Sequence, residues 1–285
     1  MSDAESAQDP EPLRTWRPMA LWTAALLLVL GLIWFIGAAA VPVWRVHRAI
    51  AEYRDRNGCA SGSFLPGRPG AAALKARLGD GDAGLSQLRL FLKCPRMERR
   101  WIAIELLASY GGQAAPDLID ELWKGTTVTT AEGIMLAYSS EGGSARQGLV
   151  VLGADALPAI RRRLADGHGF RKVLLLEVLA MMKAEASSVL PELMDIAQHS
   201  PDVIAAIFAV EAMSGIGESA APQLRELLSD PAPEVSEVAA LLLLSLRWDQ
   251  SPEVLRIVED GSKRNGLTRE ACLEALAIHS RPRPE

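Results

Sequence analysis

The chain has 285 residues, 49% of them hydrophobic but only 5% aromatic, and its formal net charge is −5. This length suits one extended array with a small additional segment, and the composition suits stacked helices rich in Ala and Leu. From residue 82 onward, 21 basic residues stand against 28 acidic ones. Because a protein that binds phosphate backbones needs a basic stripe, we expect no nucleic-acid binding.

The first feature along the chain is an uncharged, apolar run. Residues 1–17 form a polar leader that we expect to be disordered, and the next 27 residues, 18–44, contain no charge. A helix needs about 20 predominantly apolar residues to cross a bilayer. Trp22, Trp34 and Trp44 lie close to the depth at which aromatic anchors are expected. We therefore predict one transmembrane helix over residues 18–44.

A cleaved signal peptide is the alternative interpretation of this run. Ala38 and Ala40 offer a small-residue cleavage site. The apolar region is longer than the ~7–15 residues of a signal core, however, and the leader before it is acidic. The sequence therefore favours an uncleaved anchor.

The arginines around the run bear on its orientation. Positively charged residues mark the cytoplasmic side of a span, and more arginines follow this run than precede it. The excess is small, so the sequence favours repeats in the cytoplasm and leaves a periplasmic position open. The arginines concerned are Arg14 and Arg17 before the run and Arg45, Arg48, Arg54 and Arg56 after it.

Residues 45–81 connect the apolar run to the rest of the chain. A polar amphipathic juxtamembrane helix is predicted first, and a linker rich in Gly and Pro follows it. Cys59 of this segment could pair with Cys94 in an oxidising compartment. The favoured alternative is that the cysteines are unpaired and that Cys272 is a small core residue.

A recurring motif begins downstream of the linker. Small residues lead to a proline at Pro116, Pro158, Pro191 and Pro222, and these prolines are 42, 33 and 31 residues apart. Such a period is typical of solenoids and other repeat arrays. Proline fits the first turn of a helix, because its missing N–H would have no partner there. Each motif therefore predicts the first helix of a unit. The apolar positions that follow at helical spacing are Leu118, Leu122, Ile160, Leu164, Leu193, Ile196, Leu224, Leu227 and Leu228.

A break and a more apolar run follow each first helix, as in FRKVLLLEVLAMMK from Phe170. Runs that are apolar over more than one face are buried between neighbours. The unit is thus a helix pair, and the sequence predicts five to six such pairs. Between Gly125 and Gly153 the sequence is rich in Gly and Thr, which predicts a local insertion.

The motif LGxxALPxIxxxL, which runs here from Leu152 to Leu164, resembles the HEAT-type helical repeat, including its bacterial short form related to phycobilisome-lyase repeats. The resemblance extends over residues 82–280 and leaves a tail at 281–285. It implies an all-α, armadillo-like fold, a right-handed α-solenoid of helix pairs, here preceded by the predicted transmembrane helix. It implies little about function, because a solenoid carries chemistry only in sites added to the scaffold.

The usual signatures of catalysis are missing from the sequence. Its four histidines are too far apart to act as ligands on one helix face. The sequence also lacks a C-x-x-C pair, a phosphate-binding loop and a nucleophile elbow. We therefore predict no catalytic residue, no metal site and no cofactor.

The predicted function is that of a non-catalytic, single-pass scaffold of a bacterial inner membrane that binds a protein partner. Arginine and tryptophan are frequent in binding hot spots. Two alternatives stay open, a lyase-like enzyme or enzyme accessory and a structural membrane protein that self-associates. The candidate protein-binding residues are Arg161, Arg162, Trp123 and Trp248.

Overall fold

The computed structural model describes Arg48 and residues 71–95, 97–129, 135–167, 169–264, 266 and 268–279. The chain divides into two units, Met1–Asp55 and Arg56–Glu285, and all described residues except Arg48 belong to the second. The predicted transmembrane helix and Cys59 lie outside the described residues. Within the described part of the chain, no helix is both long and apolar enough to cross a membrane.

Thirteen α-helices, five short 3-10 helices and one β-hairpin form the regular structure of the described part of the second unit. Helix α1 (Ala71–Leu78) lies in the segment interpreted as a linker, and the helices after it alternate as first and second members of six pairs. The pairs are α2 (Gly81–Leu92) with α3 (Met97–Leu107), α4 (Ala115–Lys124) with α5 (Ser140–Leu152), α6 (Leu157–Asp166) with α7 (Phe170–Met182), α8 (Leu190–His199) with α9 (Val203–Ile216), α10 (Ala221–Glu226) with α11 (Pro233–Ser245) and α12 (Pro252–Lys263) with α13 (Arg269–His279).

Prolines open the first helices, as the repeated motif predicts. Pro116, Pro158, Pro191 and Pro222 lie in the first turns of α4, α6, α8 and α10. A short 3-10 turn precedes each of these helices. The predicted core positions that follow the prolines are buried, except that Leu228 is half-buried. The helical repeat and its core are therefore confirmed.

The second helices pack against one another and form the inner row of the stack. From α3 to α13, each second helix contacts the next one, whereas neighbouring first helices have much less contact. Helix α9 buries residues on more than one face, as its apolar sequence predicts. Removal of apolar surface from water is the main stabilising contribution in folding. The inner row therefore provides much of the stability of the stack.

Ion pairs connect neighbouring first helices. Each pair joins an arginine of one first helix to a carboxylate of a neighbouring first helix. Long arginine side chains reach across a separation that short apolar side chains would not fill. Because the partners are partly exposed, each pair contributes only about 0–1 kcal/mol. The pairs are Arg89 with Asp117, Arg163 with Asp120 and Arg161 with Glu192, at N–O distances of 2.9, 3.0 and 2.7 Å.

A β-hairpin interrupts the second pair between its two helices. Strand β1 (Thr126–Thr129) pairs antiparallel with β2 (Met135–Tyr138). The predicted all-α fold is therefore corrected to a nearly all-α one. The β-branched residues of Thr-Thr-Val-Thr favour a strand at this position. Gly125 and Gly142 close the base of the hairpin, where a Cβ on Gly125 would lie 2.4 Å from the Gly142 nitrogen. This hairpin is the local insertion that the sequence predicts.

The contact between α7 and α9 can be tested with one added methyl group. A Cβ on Gly215 of α9 would lie 2.7 Å from the Cα atom of Ala180 in α7. We expect Gly215→Ala to force these helices apart and to lower the free energy of unfolding by about 1–3 kcal/mol. Urea unfolding of the full-length chain, followed by the circular dichroism of its helices, measures the change.

Gly143→Ala in α5 is the matched control for this substitution. A Cβ on Gly143 would meet no atom within 4 Å. Because alanine restricts the unfolded chain and favours the helix, this variant should gain about 0.4–1 kcal/mol. Equal effects of the two substitutions would contradict the close approach of α7 and α9.

Candidate functional site

The turns within successive pairs lie next to one another, because successive pairs stack in the same orientation. We call the surface formed by the segments between α4 and α5 and between α6 and α7 the turn edge. The first of these segments contains the β-hairpin, and the second contains residues 167–169. The turn edge is therefore the place where the stack departs from a plain repeat.

A pocket of about 360 Å³ opens on the turn edge. It lies where the ends of α4 and α6 meet the beginning of α7. Its volume is within the range of about 300–1,000 Å³ that is usual for ligand pockets. The residues that line it are Trp123, Arg163, Asp166, Gly167, Phe170 and Arg171, together with Gly169.

Trp123 provides the aromatic wall of the pocket. The guanidinium carbons of Arg163 and Arg171 lie 5.1 and 5.0 Å from the centroid of its ring. Both distances are within the ~6 Å over which a cation is attracted to an aromatic ring. The indole is half-buried, and its Nε1 has no hydrogen-bond acceptor among the described residues. Packing and the two cations therefore hold the ring in place.

The two arginines of the pocket differ in their charge partners. Arg163 Nη2 lies 3.0 Å from Asp120 Oδ1. Arg171 is exposed, and no carboxylate of the described residues is within ion-pair distance of it. Asp166 is also exposed and has no cationic partner in the described part of the chain. Within the described residues, the pocket thus contains one guanidinium without a carboxylate partner and one carboxylate without a cationic partner.

This arrangement offers groups that could bind a ligand. Arg171 can donate hydrogen bonds to an anionic group, while Trp123 and the 38% exposed Phe170 offer apolar contact. The described lining residues contain no nucleophile next to a general base, which is the usual arrangement for covalent catalysis. No group of three or more His, Cys, Asp and Glu side chains among the described residues could hold a metal ion.

A second cluster fixes the hairpin to the inner row. The hydroxyl of Tyr138 in β2 donates a hydrogen bond to the Glu177 carboxylate of α7. Arg146 Nη1 of α5 donates to Glu177 Oε1 at 2.6 Å, and the Arg146 guanidinium lies 4.3 Å from the Tyr138 ring centroid. Burial and the neighbouring Glu177 carboxylate raise the pKa of Tyr138 above its ordinary value. The hairpin is therefore tied to both α5 and α7.

The predicted binding arginines do not line the pocket. Arg161 is half-buried, pairs with Glu192 and donates to the carbonyl oxygen of Ser188, so it connects the third and fourth helix pairs. Arg162 is exposed and has no ion-pair or hydrogen-bond partner among the described residues. The structure thus gives Arg161 a contact between repeats and leaves Arg162 in solvent.

The two predicted tryptophans lie in different parts of the stack. Trp123 lines the pocket. Trp248 is half-buried in the segment between α11 and α12, where its carbonyl oxygen accepts a hydrogen bond from Arg225 Nη2 at 2.9 Å. Of the four candidate binding residues, only Trp123 contributes to the pocket.

Sequence reasoning missed the residues that complete the pocket around Trp123. Arg163 stands near the end of α6, which is the first helix of the next pair. Phe170 and Arg171 come directly after the Gly-His-Gly break. Corresponding ends of consecutive repeats come together in a solenoid. The repeat period is therefore the signal that could have placed these residues beside Trp123.

The stacked pairs define the class of the protein: residues 81–279 form an α-solenoid of helix pairs with a hairpin insertion. Residues 190–277, which include α8 to α12 and most of α13, match the family model for HEAT repeats. This match confirms the predicted HEAT repeats over these residues, and the pocket lies before them in the chain. A comparison with curated proteins finds no match.

The raised pKa of Tyr138 predicts a loss of stability in alkaline solution. Because the folded state favours the protonated phenol, this contribution is fully present below the ordinary tyrosine pKa of about 10. It is lost as the pH rises through that value toward the folded pKa. We expect the free energy of unfolding to fall more steeply above about pH 10 in the wild type than in Tyr138→Phe. Urea unfolding at a series of pH values measures both slopes.

Tyr110 provides a common background for this comparison, because burial also raises the pKa of its hydroxyl and it is present in both proteins. Lysine deprotonation affects both in the same way. The difference between the two slopes therefore belongs to Tyr138. Parallel curves for the wild type and the variant would show that the hydroxyl is not held by Glu177.

Proposed function

We propose that the protein is a membrane-anchored HEAT-repeat scaffold that binds a protein partner and catalyses no reaction. The observation that carries this proposal is a stack of six helix pairs with an arginine- and tryptophan-lined pocket on its turn edge. Stacked helix pairs present an extended surface to other proteins. Arginine and tryptophan in a desolvated pocket are typical of binding hot spots.

The anchoring part of the proposal rests on residues 18–44. These 27 residues contain no charge. The run is longer than the ~20 residues that a helix needs to cross a bilayer. The arginines that follow the run favour a cytoplasmic position for the repeats. We accordingly propose a single-pass protein of a bacterial inner membrane with its solenoid in the cytoplasm.

Charges placed inside the apolar run test the anchor. Leu28→Arg combined with Leu30→Arg introduces two charges, and each costs about 2.5–3.5 kcal/mol at the centre of a membrane-spanning helix. We expect the wild-type chain to stay in the membrane pellet during alkaline carbonate extraction and the double variant to appear in the supernatant. Leu28→Ile with Leu30→Ile is the matched control and should behave as the wild type.

The same cells can be used to determine on which side of the membrane the repeats lie. Protease added to intact spheroplasts should leave the repeats undigested until detergent lyses the cells. Digestion before lysis would contradict the cytoplasmic position. Extraction of the wild-type chain by carbonate would contradict the anchor itself.

Photocrosslinking in intact cells tests the scaffold. A photoreactive phenylalanine analogue replaces Phe170 on the turn edge, Glu211 on the inner row or Glu253 at the beginning of the first helix α12, all of which are exposed. We expect Phe170 to give one discrete adduct with a second protein. Glu253 serves as the matched control and should give none, because the beginning of a first helix lies at the end of its pair opposite the turn edge.

Each outcome of this experiment has one interpretation. An adduct from Glu211 but not from Phe170 supports the scaffold and moves the binding surface to the inner row. An adduct with a second copy of the same chain supports self-association instead of the proposed function. Absence of any adduct at the three positions would contradict the scaffold, and a partner whose intact mass changes on incubation with the chain would contradict the non-catalytic part.

A further inference from the structure

We infer that the pocket at Trp123 binds a glutamate or aspartate side chain of the protein partner. The inference rests on the proposed function and names the chemistry by which the partner is recognised. The pocket offers one cation without a described partner, an aromatic wall and an apolar rim. Each of these features matches one part of an acidic side chain.

Arg171 is the group that would hold the carboxylate. Its neighbour Arg163 is already paired with Asp120 at 3.0 Å, so the charge of Arg163 is largely compensated. Arg171 is exposed and has no carboxylate partner among the described residues. An arginine presents a planar fork of N–H donors that binds a carboxylate through two parallel hydrogen bonds. The free fork of Arg171 therefore suits a carboxylate better than a neutral group.

The aromatic residues suit the remainder of the side chain. Trp123 lies beneath Arg171 at 5.0 Å, and Phe170 next to it is 38% exposed. The methylene groups of a glutamate can pack against these rings while its carboxylate meets Arg171. Such packing excludes water, and exclusion of water strengthens the hydrogen bonds between the charged groups.

Asp166 opposes this binding, and the effect of neutralising it distinguishes an acidic ligand from a basic one. Its exposed carboxylate lines the same pocket without a described cationic partner. A bound carboxylate would be repelled by it, so Asp166 limits the affinity of the site. Neutralising Asp166 should therefore tighten the binding of an acidic ligand, whereas it would weaken the binding of a basic one.

The charge of the array favours a protein over a nucleic acid as the source of the anion. From residue 82 onward, 28 acidic residues outnumber 21 basic ones. A polyphosphate chain needs several cations in a row, whereas one carboxylate needs only one guanidinium. The pocket presents one guanidinium without a described partner, which matches a single acidic side chain.

The experiment measures fluorescence anisotropy with the full-length chain in nanodiscs. The probe is a fluorescein-labelled peptide of alternating Glu and Ala residues, and its counterpart with Lys in place of Glu is the control ligand. We expect Arg171→Gln to weaken the binding of the acidic peptide about 10-fold, because the hydrogen bonds of a charged guanidinium are lost. Asp166→Asn should tighten it about 2- to 5-fold through loss of charge repulsion.

Arg162→Gln is the matched control variant, because Arg162 is an exposed arginine of α6 outside the pocket. It should leave the dissociation constant within about 2-fold, since exposed charges act weakly through water. Trp123→Phe keeps an aromatic wall and should weaken binding less than Arg171→Gln. Circular dichroism of each variant verifies that its helices are intact.

Several results would overturn the inference. They are the absence of binding by the acidic peptide, equal losses in Arg162→Gln and Arg171→Gln, equal binding of the lysine peptide, and Arg171-dependent binding of an oligouridine that exceeds that of the peptide. The scaffold proposal fails separately, through the absence of any partner adduct in cells. An adduct from Glu211 together with a peptide that does not bind would retain the scaffold and reject the acidic subsite.

Discussion

Packing of the second helices against each other is the interaction on which the rest of the structure depends. Helices α7 and α9 approach so closely that a Cβ on Gly215 would lie 2.7 Å from Ala180, and only small residues permit this distance. The first helices, on the other side of the stack, contact each other much less than the second helices do. Arginine–carboxylate pairs then reach between the first helices, where apolar side chains would leave gaps.

The turn-edge pocket follows from the same geometry. The ends of α4 and α6 are far enough apart to admit the Trp123 ring and the Arg163 side chain between them. Arg163 serves the stack, because its charge is compensated by Asp120 at 3.0 Å. Arg171 enters from the beginning of α7 and lacks such a partner among the described residues. Arg163 and Arg171 lie at similar distances from the Trp123 ring. Their roles differ because Asp120 pairs with Arg163 only.

The repeat could be predicted from the sequence because its signals are local. Prolines in the first turn and apolar residues at helical spacing, such as Pro158 followed by Ile160 and Leu164, depend only on neighbours in the chain. The pocket could not be predicted in the same way, because Trp123 and Arg163 are 40 residues apart and meet only through the stacking of two pairs. An insertion could be predicted between Gly125 and Gly153, but its strands could not, because they have only four residues each, too few to show a period beside glycine-rich sequence. Arg161 is a candidate binding residue by its type alone. Its ion pair with Glu192 cannot be predicted in the same way, because it forms only when two helix pairs stack.

Helix α7 joins the two features that distinguish this stack from a plain repeat. Arg171 stands at its beginning, and Glu177, less than two turns later, accepts the hydrogen bonds of Tyr138 and Arg146. Helix α7 therefore carries both Glu177, to which the hairpin is bonded, and part of the pocket wall, and it is itself buried in the inner row through Leu174, Leu175 and Leu176. A site built on such an element loses little conformational freedom when a partner binds, and that loss is among the main costs of association. The hairpin thus adds contacts to α7, the helix that carries Arg171 into the proposed binding pocket.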